Sequence, residues 1–308
     1  MRSVWAGLRQ LPLVTGFFYG NYFYGCCAIA LSVEASLQQQ YPLNSWPYYV
    51  LVFLGTVLFY SHPYIIRPAS LAVHARNRWY HRHHRWLTIQ QVLFTLALAV
   101  ALAAFAWRHA SSLAACTLKD WLLIGVFPLT AALYYGSAWL FGAYNLRRIG
   151  WLKPFVIGFT WAGWVTIYPP WFYEISHSSK YPITLIGSFL FLKNFMFVTL
   201  LCIMFDVKDF AEDHRRNIRT IVVRLGLRKT IYFVLIPLSV LGLGAFIYYA
   251  VSRHFHPVRI GLNILPFLSL ILTAFSLRKR RSLLFYLVVV DGLMLVKAIC
   301  GTIAMLYF

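Results

Sequence analysis

Acidic residues are scarce in this sequence. Only 8 Asp and Glu occur among 308 residues, against 28 Lys and Arg, and charged residues make up 12% of the chain. Soluble globular domains carry about 25% charged residues, whereas 60% of this chain is hydrophobic. The composition therefore excludes a disordered tail and predicts a polytopic membrane protein. The net charge of +20 does not indicate a nucleic-acid partner, because the cations stand between apolar runs and not on a solvated basic surface.

Cysteine is also scarce and irregularly placed. The 5 cysteines form no CxxC pair and no evenly spaced set, so neither a disulfide framework nor a structural zinc site is expected. No Gly/Ser-rich linker, composition shift or internal repeat divides the chain. We therefore expect one membrane domain over residues 1–308.

Long apolar segments fill most of the sequence. A helix needs about 20 mostly apolar residues to cross a bilayer. The candidate spans are 12–37, 45–66, 87–107, 119–140, 154–173, 183–205, 230–251, 259–277 and 283–307. The first is the least regular, since Asn21 and Glu34 interrupt it. The sequence predicts an all-α fold, a bundle of about nine transmembrane helices.

Lys and Arg are sorted unevenly among the connections between these spans. If the N-terminus is cytoplasmic, the inner segments hold 21 of the cations and the outer loops 5. Positively charged loops remain cytoplasmic during membrane insertion. We therefore predict an integral protein of the plasma or cell inner membrane, with a cytoplasmic N-terminus and a C-terminus on the outer side.

Half of the acids fall together at the cytoplasmic end of the sixth span. On a continuous helix Asp206, Asp209 and Asp213 would stand within about 60° on one face and along about 10 Å of axis, while Glu212 would point away. Carboxylates that repel one another in this way are suited to hold Mg²⁺, which prefers oxygen ligands and is commonly shared with substrate phosphates. Alternatively, they balance the seven Lys and Arg of the same segment, residues 206–229. Spacing alone leaves both interpretations open.

Residues 206–226 read DVKDFAEDHRRNIRTIVVRLG. This string resembles the second aspartate-rich motif of the UbiA superfamily of intramembrane prenyltransferases, in which three Asp at this spacing precede a Gly, a Thr and a Leu-Gly pair. Every element is matched except the Gly, where the chain has Asn217. The resemblance implies a UbiA-like helical bundle and a Mg²⁺-dependent transfer of an isoprenoid from a prenyl diphosphate to a hydrophobic acceptor, aromatic or lipid. It also implies that Asp206, Asp209 and Asp213 bind the metal and that Asp209 and Asp213 are catalytic.

The family's first motif, an Asn followed by two Asp at four-residue spacing, is missing. No acid occurs between Glu34 and Asp120. The degenerate first-motif positions are Tyr60, Ser61 and His62. One hypothesis is a transferase that retains a single metal and binds the diphosphate through cations, for which the candidates are Arg82, Arg85, Lys153, Lys193 and Lys208. The other is a membrane protein on the same fold that binds a lipid phosphate, or acts as a scaffold, without catalysis.

Lys193, Asp291 and Lys297 lie well inside predicted spans, where charge is costly and usually faces a cavity or a partner. Lys193 is expected either to contact the anionic substrate from a cavity wall or to pair with Glu34 or Asp291. Asp291 and Lys297 are six positions apart and therefore face different sides of the last span.

Overall fold

The computed structural model describes residues 12–66, 75–135, 149–215 and 217–308, and every regular element in those ranges is helical. In the first half the helices are α1 (Pro12–Tyr19), α2 (Tyr22–Gln38), α3 (Trp46–Ile66), α4 (Ala75–Arg82), α5 (His84–Arg108), α6 (Ala110–Ala114) and α7 (Leu118–Tyr135). In the second half they are α8 (Lys153–Ala162), α9 (Tyr168–Ser176), α10 (Leu185–Arg215), α11 (Ile221–Leu225), α12 (Leu227–Thr230), α13 (Ile236–Ser252), α14 (Pro257–Ser276), α15 (Leu283–Phe285) and α16 (Gly292–Tyr307). Single π-helical turns at Gly163–Ile167, Ile231–Leu235 and Tyr286–Val290 join α8 to α9, α12 to α13 and α15 to α16.

Within the described ranges, six helical segments are long and apolar enough to cross a membrane, which confirms an integral membrane protein of the all-α class. They are Trp46–Ile65, His84–Arg108, Leu185–Arg215, Leu227–Ser252, Pro257–Ser276 and Leu283–Tyr307. Each overlaps one of the predicted spans. The three remaining predicted spans are helical where the structure describes them, but they do not meet the same criteria, so the count of nine stays a prediction.

Two of the three remaining spans, the first and the fifth, contain a local interruption of the α-helix. The first is broken where Asn21 adopts a left-handed conformation with φ 67°, which separates α1 from α2. Residues 136–140 of the fourth lie outside the described ranges. The fifth carries the π turn and a Pro169-Pro170 pair, which begins the second of its two helices. The predicted sides of the two termini stay predictions.

The long helix α10 runs through the core of the bundle. Its buried apolar side chains include Phe197, Leu200, Ile203 and Met204. Close contact between α8 and α10 occurs at Gly158, where a Cβ atom would lie 2.2 Å from Thr199 Oγ1 and 2.9 Å from the Phe195 carbonyl oxygen. Because only glycine permits this approach, the start of α8 is held beside the last turns of α10.

Candidate active site

The three aspartates of the predicted motif share one face of a single helix. α10 continues without interruption to Arg215, which confirms the condition on which their alignment depends. Asp206 is fully buried, whereas the Asp209 side chain is 31% exposed and Asp213 is half-buried. The face therefore passes from the interior of the bundle to its surface within two turns.

A lysine from another helix neutralises the innermost aspartate. Lys153 Nζ donates a hydrogen bond to Asp206 Oδ1 at 2.7 Å, and the lysine side chain keeps 28% of its surface exposed. Burial alone would lower the pKa of Lys153, but the Asp206 carboxylate raises it above the ordinary lysine value, so the ammonium stays charged. The second oxygen, Asp206 Oδ2, is buried and has no hydrogen-bond partner among the described residues. A buried carboxylate oxygen without a partner is costly and is a natural ligand for a cation.

The residues that follow the aspartates close the helix and turn the chain back. Asn217 has φ 54°, its amide donates to the His214 carbonyl oxygen at 3.3 Å, and the Ile218 amide donates to the Asp213 carbonyl oxygen at 2.9 Å. These are the two bonds of a Schellman cap, in which the left-handed position favours Gly and next Asn. The single mismatch with the family motif therefore has a physical explanation: Asn217 serves the backbone conformation that a glycine would serve.

The Thr and the Leu-Gly pair of the motif have backbone roles as well. Thr220 Oγ1 accepts from the Val223 amide at 3.2 Å and so caps α11, while Gly226 ends α11 with φ 82°. The turn before α8 packs on this loop, since a Cβ atom at Gly150 would lie 2.9 Å from the Arg219 carbonyl carbon and from the Thr220 nitrogen. The loop that the motif forms therefore packs against the turn before Lys153 and helps to place Lys153 beside Asp206.

Two further charged residues complete the group. Lys208 Nζ lies 3.1 Å from Asp209 Oδ1, and Asp213 is within electrostatic reach of Lys153, Asp206 and Asp209. No three Asp, Glu, His or Cys side chains converge closely enough to form a metal cage within the ranges that the structure describes. The oxygen donors fit Mg²⁺ in another way, because this ion is usually held by one or two carboxylates together with waters and substrate phosphates. Asp209, Asp213 and the free oxygen of Asp206 are the residues that would hold it.

The degenerate first-motif positions are polar but uncharged at their centre. Ser61 is buried and accepts a hydrogen bond from Asn21 Nδ2 at 3.1 Å, and Asn21 also donates to the Tyr80 hydroxyl at 2.9 Å. The Arg76 guanidinium donates to Asn21 Oδ1 and, at 3.1 Å, to the Tyr19 carbonyl oxygen. A network that contains one buried arginine and no carboxylate therefore lies beside the predicted first-motif positions. His62 is exposed and takes no part in the network's described contacts.

Asp291 lies in the same half of the bundle. It is buried and accepts a hydrogen bond from the Tyr24 hydroxyl at 2.6 Å, and the Tyr24 ring stacks on Tyr60 at a centroid distance of 4.6 Å. Electrostatic interactions link Asp291 with Arg76 and Lys208. The sequence marked Asp291 as an ionisable residue within a span and considered it only as a partner for Lys193, and it did not single out Tyr24 or Arg76. Nothing local to the sequence could have joined residues 267 positions apart.

An apolar cavity of about 160 Å³ lies near this charged group. Its walls come from α3, α7, α8 and the π turn, and they include Tyr60, Phe127, Tyr134, Trp161 and Trp164. The Trp161 indole donates to the Tyr60 hydroxyl at 2.6 Å, and Tyr134 interacts electrostatically with Lys153. The cavity therefore has an aromatic interior, and its wall residue Tyr134 is the link to the Lys153–Asp206 pair, which does not itself line the cavity.

Three of the predicted cations are not joined to this group by any contact among the described residues. Arg82 and Arg85 are exposed at the end of α4 and the start of α5. Lys193 lies 13 residues before Asp206 on α10, about 20 Å along the axis. It is 3.9 Å from Glu34, one of the two partners considered from the sequence. Of the five predicted diphosphate ligands, the structure assembles Lys153 and Lys208 with the aspartates.

Comparison with known proteins agrees with this architecture. No family model matches the chain, and no protein of curated function matches it in sequence. A solved structure of digeranylgeranylglyceryl phosphate synthase, a UbiA-type prenyltransferase, is similar with a TM-score of 0.55. The similarity covers 94% of this chain and 98% of that one, at 13% sequence identity. The chain is an integral membrane protein with the UbiA-like helical fold.

Proposed function

We propose that the protein is a Mg²⁺-dependent prenyltransferase that moves an isoprenoid from a prenyl diphosphate to a hydrophobic acceptor in the membrane. The observation that carries the proposal is the proximity of the Lys153–Asp206 pair to an aromatic cavity, whose wall residue Tyr134 interacts electrostatically with Lys153. A prenyl diphosphate has this same division, with a strongly anionic head and an apolar chain. The UbiA-like fold supports the same class of reaction.

The diphosphate would bind where positive charge is available. Lys153 and Lys208 would each donate to its oxygens, and Mg²⁺ held by Asp209, Asp213 and the free oxygen of Asp206 would neutralise negative charge on the leaving group. Electrostatic stabilisation of developing charge is commonly the largest contribution to catalysis. Lys153 would exchange part of its contact with Asp206 for the substrate, which would leave both Asp206 oxygens available.

The bond that breaks joins the first carbon of the isoprenoid to the diphosphate oxygen, and the diphosphate leaves with the electron pair. The allylic cation that remains would be stabilised by the ring faces of Tyr60 and Trp161, since cations are attracted to aromatic faces. The apolar walls of the cavity keep water away from this carbon. The acceptor forms the new bond to it and releases a proton, for which the departing diphosphate is an available base.

A second candidate function is binding of a lipid phosphate without catalysis. It is favoured by the hydrogen-bonded network of Ser61, Asn21 and Arg76, because the carboxylates of a second metal site are missing there. It is also favoured by the ammonium that already neutralises Asp206. Such a protein would bind the diphosphate head group and leave the carbon–oxygen bond intact.

The two functions separate in one experiment. The purified full chain in lipid is incubated with Mg²⁺, radiolabelled prenyl diphosphates of several lengths and candidate acceptors, and diphosphate release is measured. A double variant, Asp209→Asn with Asp213→Asn, tests the proposed ligands. Glu212→Gln is the matched control, because it removes a carboxylate from the same helix but from another face.

Release by the wild-type protein and by Glu212→Gln, with loss in the double variant, is the expected result. Mg²⁺-dependent binding of the prenyl diphosphates without release by the wild type would refute the transferase and favour the binding protein. Equal release by all three proteins would show that the aspartates have no part in the reaction.

A further inference from the structure

A second cavity, of about 200 Å³, lies in the half of the bundle away from Asp206. Its lining includes Lys193 of α10, Asn263 of α14 and two arginines, Arg253 and Arg259, from the connection between α13 and α14 and the first turns of α14. Lys193 is about 20 Å along α10 from Asp206. This cavity is therefore separate from the candidate active site and is not explained by the proposed transferase activity.

Buried positive charge exceeds buried negative charge at this cavity. The side chains of Lys193 and Lys297 are 7% and 3% exposed, and the carboxylate beside both is Glu34, which is 1% exposed. Lys297 Nζ is 2.6 Å from Glu34 Oε2, whereas Lys193 Nζ is 3.9 Å from Oε1. Glu34 is thus committed to Lys297, and one ammonium is left in surplus.

The other contacts of Lys193 do not supply the missing negative charge. Its ammonium donates to Asn263 Oδ1 at 3.3 Å and lies 5.4 Å from the centre of the Phe246 ring. Asn263 is fixed in turn, since its Nδ2 donates to the Arg259 carbonyl oxygen at 3.0 Å. Both partners are neutral. Burial of a charge is expensive unless the charge is paired and hydrogen-bonded. A bound anion beside Lys193 would therefore be stabilising.

The two arginines add to the surplus. The Arg259 guanidinium lies 4.2 Å from the centre of the Phe255 ring and contacts the Met305 sulfur, a weak acceptor. Arg253 lies 5.8 Å from the centre of the Tyr249 ring. Neither arginine pairs with a carboxylate within the part of the chain that the structure describes. Their N–H groups are therefore available to a ligand in the cavity.

We propose that this cavity is a binding site for a phosphate-class oxyanion, bound by Lys193, Arg253 and Arg259. Guanidinium groups bind phosphate through paired, charge-assisted hydrogen bonds, and Lys193 contributes a point charge from the floor of the cavity. Ionisable side chains at this depth ordinarily mark a functional site. The oxyanion comes either from the head group of an anionic lipid or from free phosphate.

The lining of the cavity suits either source. Phe189, Phe246 and Tyr249 give it an apolar side, and Tyr248 and Val251 on the same stretch of α13 are largely exposed, in a position to face lipid. Arg253 is exposed just beyond the end of α13, where a head group at the membrane surface or a dissolved ion would meet it first.

The test uses the full chain in nanodiscs and has two arms. In the first, the discs contain phosphatidylcholine with a small fraction of radiolabelled phosphatidic acid, and the label retained after exchange into pure phosphatidylcholine is counted. In the second, inorganic phosphate is titrated into discs of phosphatidylcholine alone, and the thermal unfolding midpoint is followed. Arg253→Gln and Arg259→Gln are the test variants. Arg108→Gln is the control, because Arg108 is exposed at the end of α5 and lines no part of the cavity.

We expect wild type and Arg108→Gln to bind alike and each test variant to bind about tenfold more weakly, the loss typical of one hydrogen bond to a charged group. Retention of phosphatidic acid without a phosphate effect assigns the site to a lipid head group, and a phosphate-dependent rise in the midpoint assigns it to the free ion. No binding in either arm, or equal binding by Arg259→Gln, Arg253→Gln and wild type, would overturn the proposal. Arg253 is exposed, so its variant should fold even if Arg259→Gln does not.

Discussion

The Lys153–Asp206 pair gives the most direct test of the site's electrostatics. Lys153→Met keeps the length of the side chain and removes its charge, which leaves the fully buried Asp206 carboxylate uncompensated. Removing one partner of a buried ion pair costs about 3–5 kcal/mol. Because 28% of the lysine side chain is exposed, solvent weakens the pair, and we expect a loss of about 2–3 kcal/mol in the free energy of unfolding.

Substitution of the other partner, Asp206, should reduce the free energy of unfolding by less. Asp206→Asn leaves an ammonium that can extend toward water through its flexible stem, so we expect a loss of about 1 kcal/mol. The double variant should be close to Asp206→Asn alone, so the coupling energy should equal the cost of Lys153→Met, about 2–3 kcal/mol, within the range for residues in contact. Unfolding is measured in mixed micelles of SDS and a non-ionic detergent, with retained secondary structure as the signal.

A second ion pair, within α10, provides the comparison. Lys208 and Asp209 are 3.1 Å apart but are 26% and 31% exposed, and the same cycle there should give a coupling of about 0.5 kcal/mol or less. If the Lys153–Asp206 coupling is no larger than this, or if Lys153→Met costs less than Asp206→Asn, the carboxylate is not held by the lysine. Binding of the diphosphate at the Lys153–Asp206 pair would then be refuted.

Three further substitutions test other parts of the structure. Gly158→Ala should destabilise the protein by about 1–3 kcal/mol, because its Cβ would meet Thr199 Oγ1 at 2.2 Å, whereas Gly261→Ala, with open space around it, should cost nothing; equal unfolding midpoints for the two would contradict the close helix contact. Asn217→Gly should leave stability unchanged, and Asn217→Val should cost about 1–3 kcal/mol at the left-handed position; a tolerated Val would mean that Asn217 is not left-handed. Asp213→Asn should raise the free energy of unfolding by about 0.5 kcal/mol, because relief of the burial of its charge and of repulsion from Asp206 and Asp209 outweighs the lost attraction to Lys153, while it lowers diphosphate release; a marked loss of stability would assign Asp213 a structural role.

Local patterns predicted what depends on local geometry. The spacing of Asp206, Asp209 and Asp213 predicted a shared helix face, and α10 has that face because it continues to Arg215. The apolar runs likewise predicted the helices that form the bundle. Breaks inside the runs were harder to predict, since Asn21 ends a helix through a left-handed backbone conformation that its residue type permits but does not require.

Partners distant in sequence could not be predicted in the same way. Lys153 was one of five candidate cations, and the close contacts at Gly150 and Gly158 bring it to Asp206, 53 residues away. Lys193 has the same charge and stands on the same helix as the aspartates, yet it faces Glu34 at the other end of α10's buried stretch. Residue type identified the ionisable groups, and tertiary packing decided which of them meet.

The position of the acids on α10 argues that they are kept for a ligand and not for the helix. The last turn of a helix carries partial negative charge, so carboxylates there cost about 0.3–1 kcal/mol each, and Lys or Arg would be favoured. Asp213 lies in the last turn, with Asp209 one turn before it, and both are within electrostatic reach of Asp206. If the four acids only neutralised the neighbouring basic loop, they would not need to share a face of the helix. Three of them do share one, and only Glu212 lies off it. A cation bound between these carboxylates and a diphosphate would relieve their mutual repulsion and their unfavourable interaction with the end of the helix. The proposed substrate would supply that diphosphate.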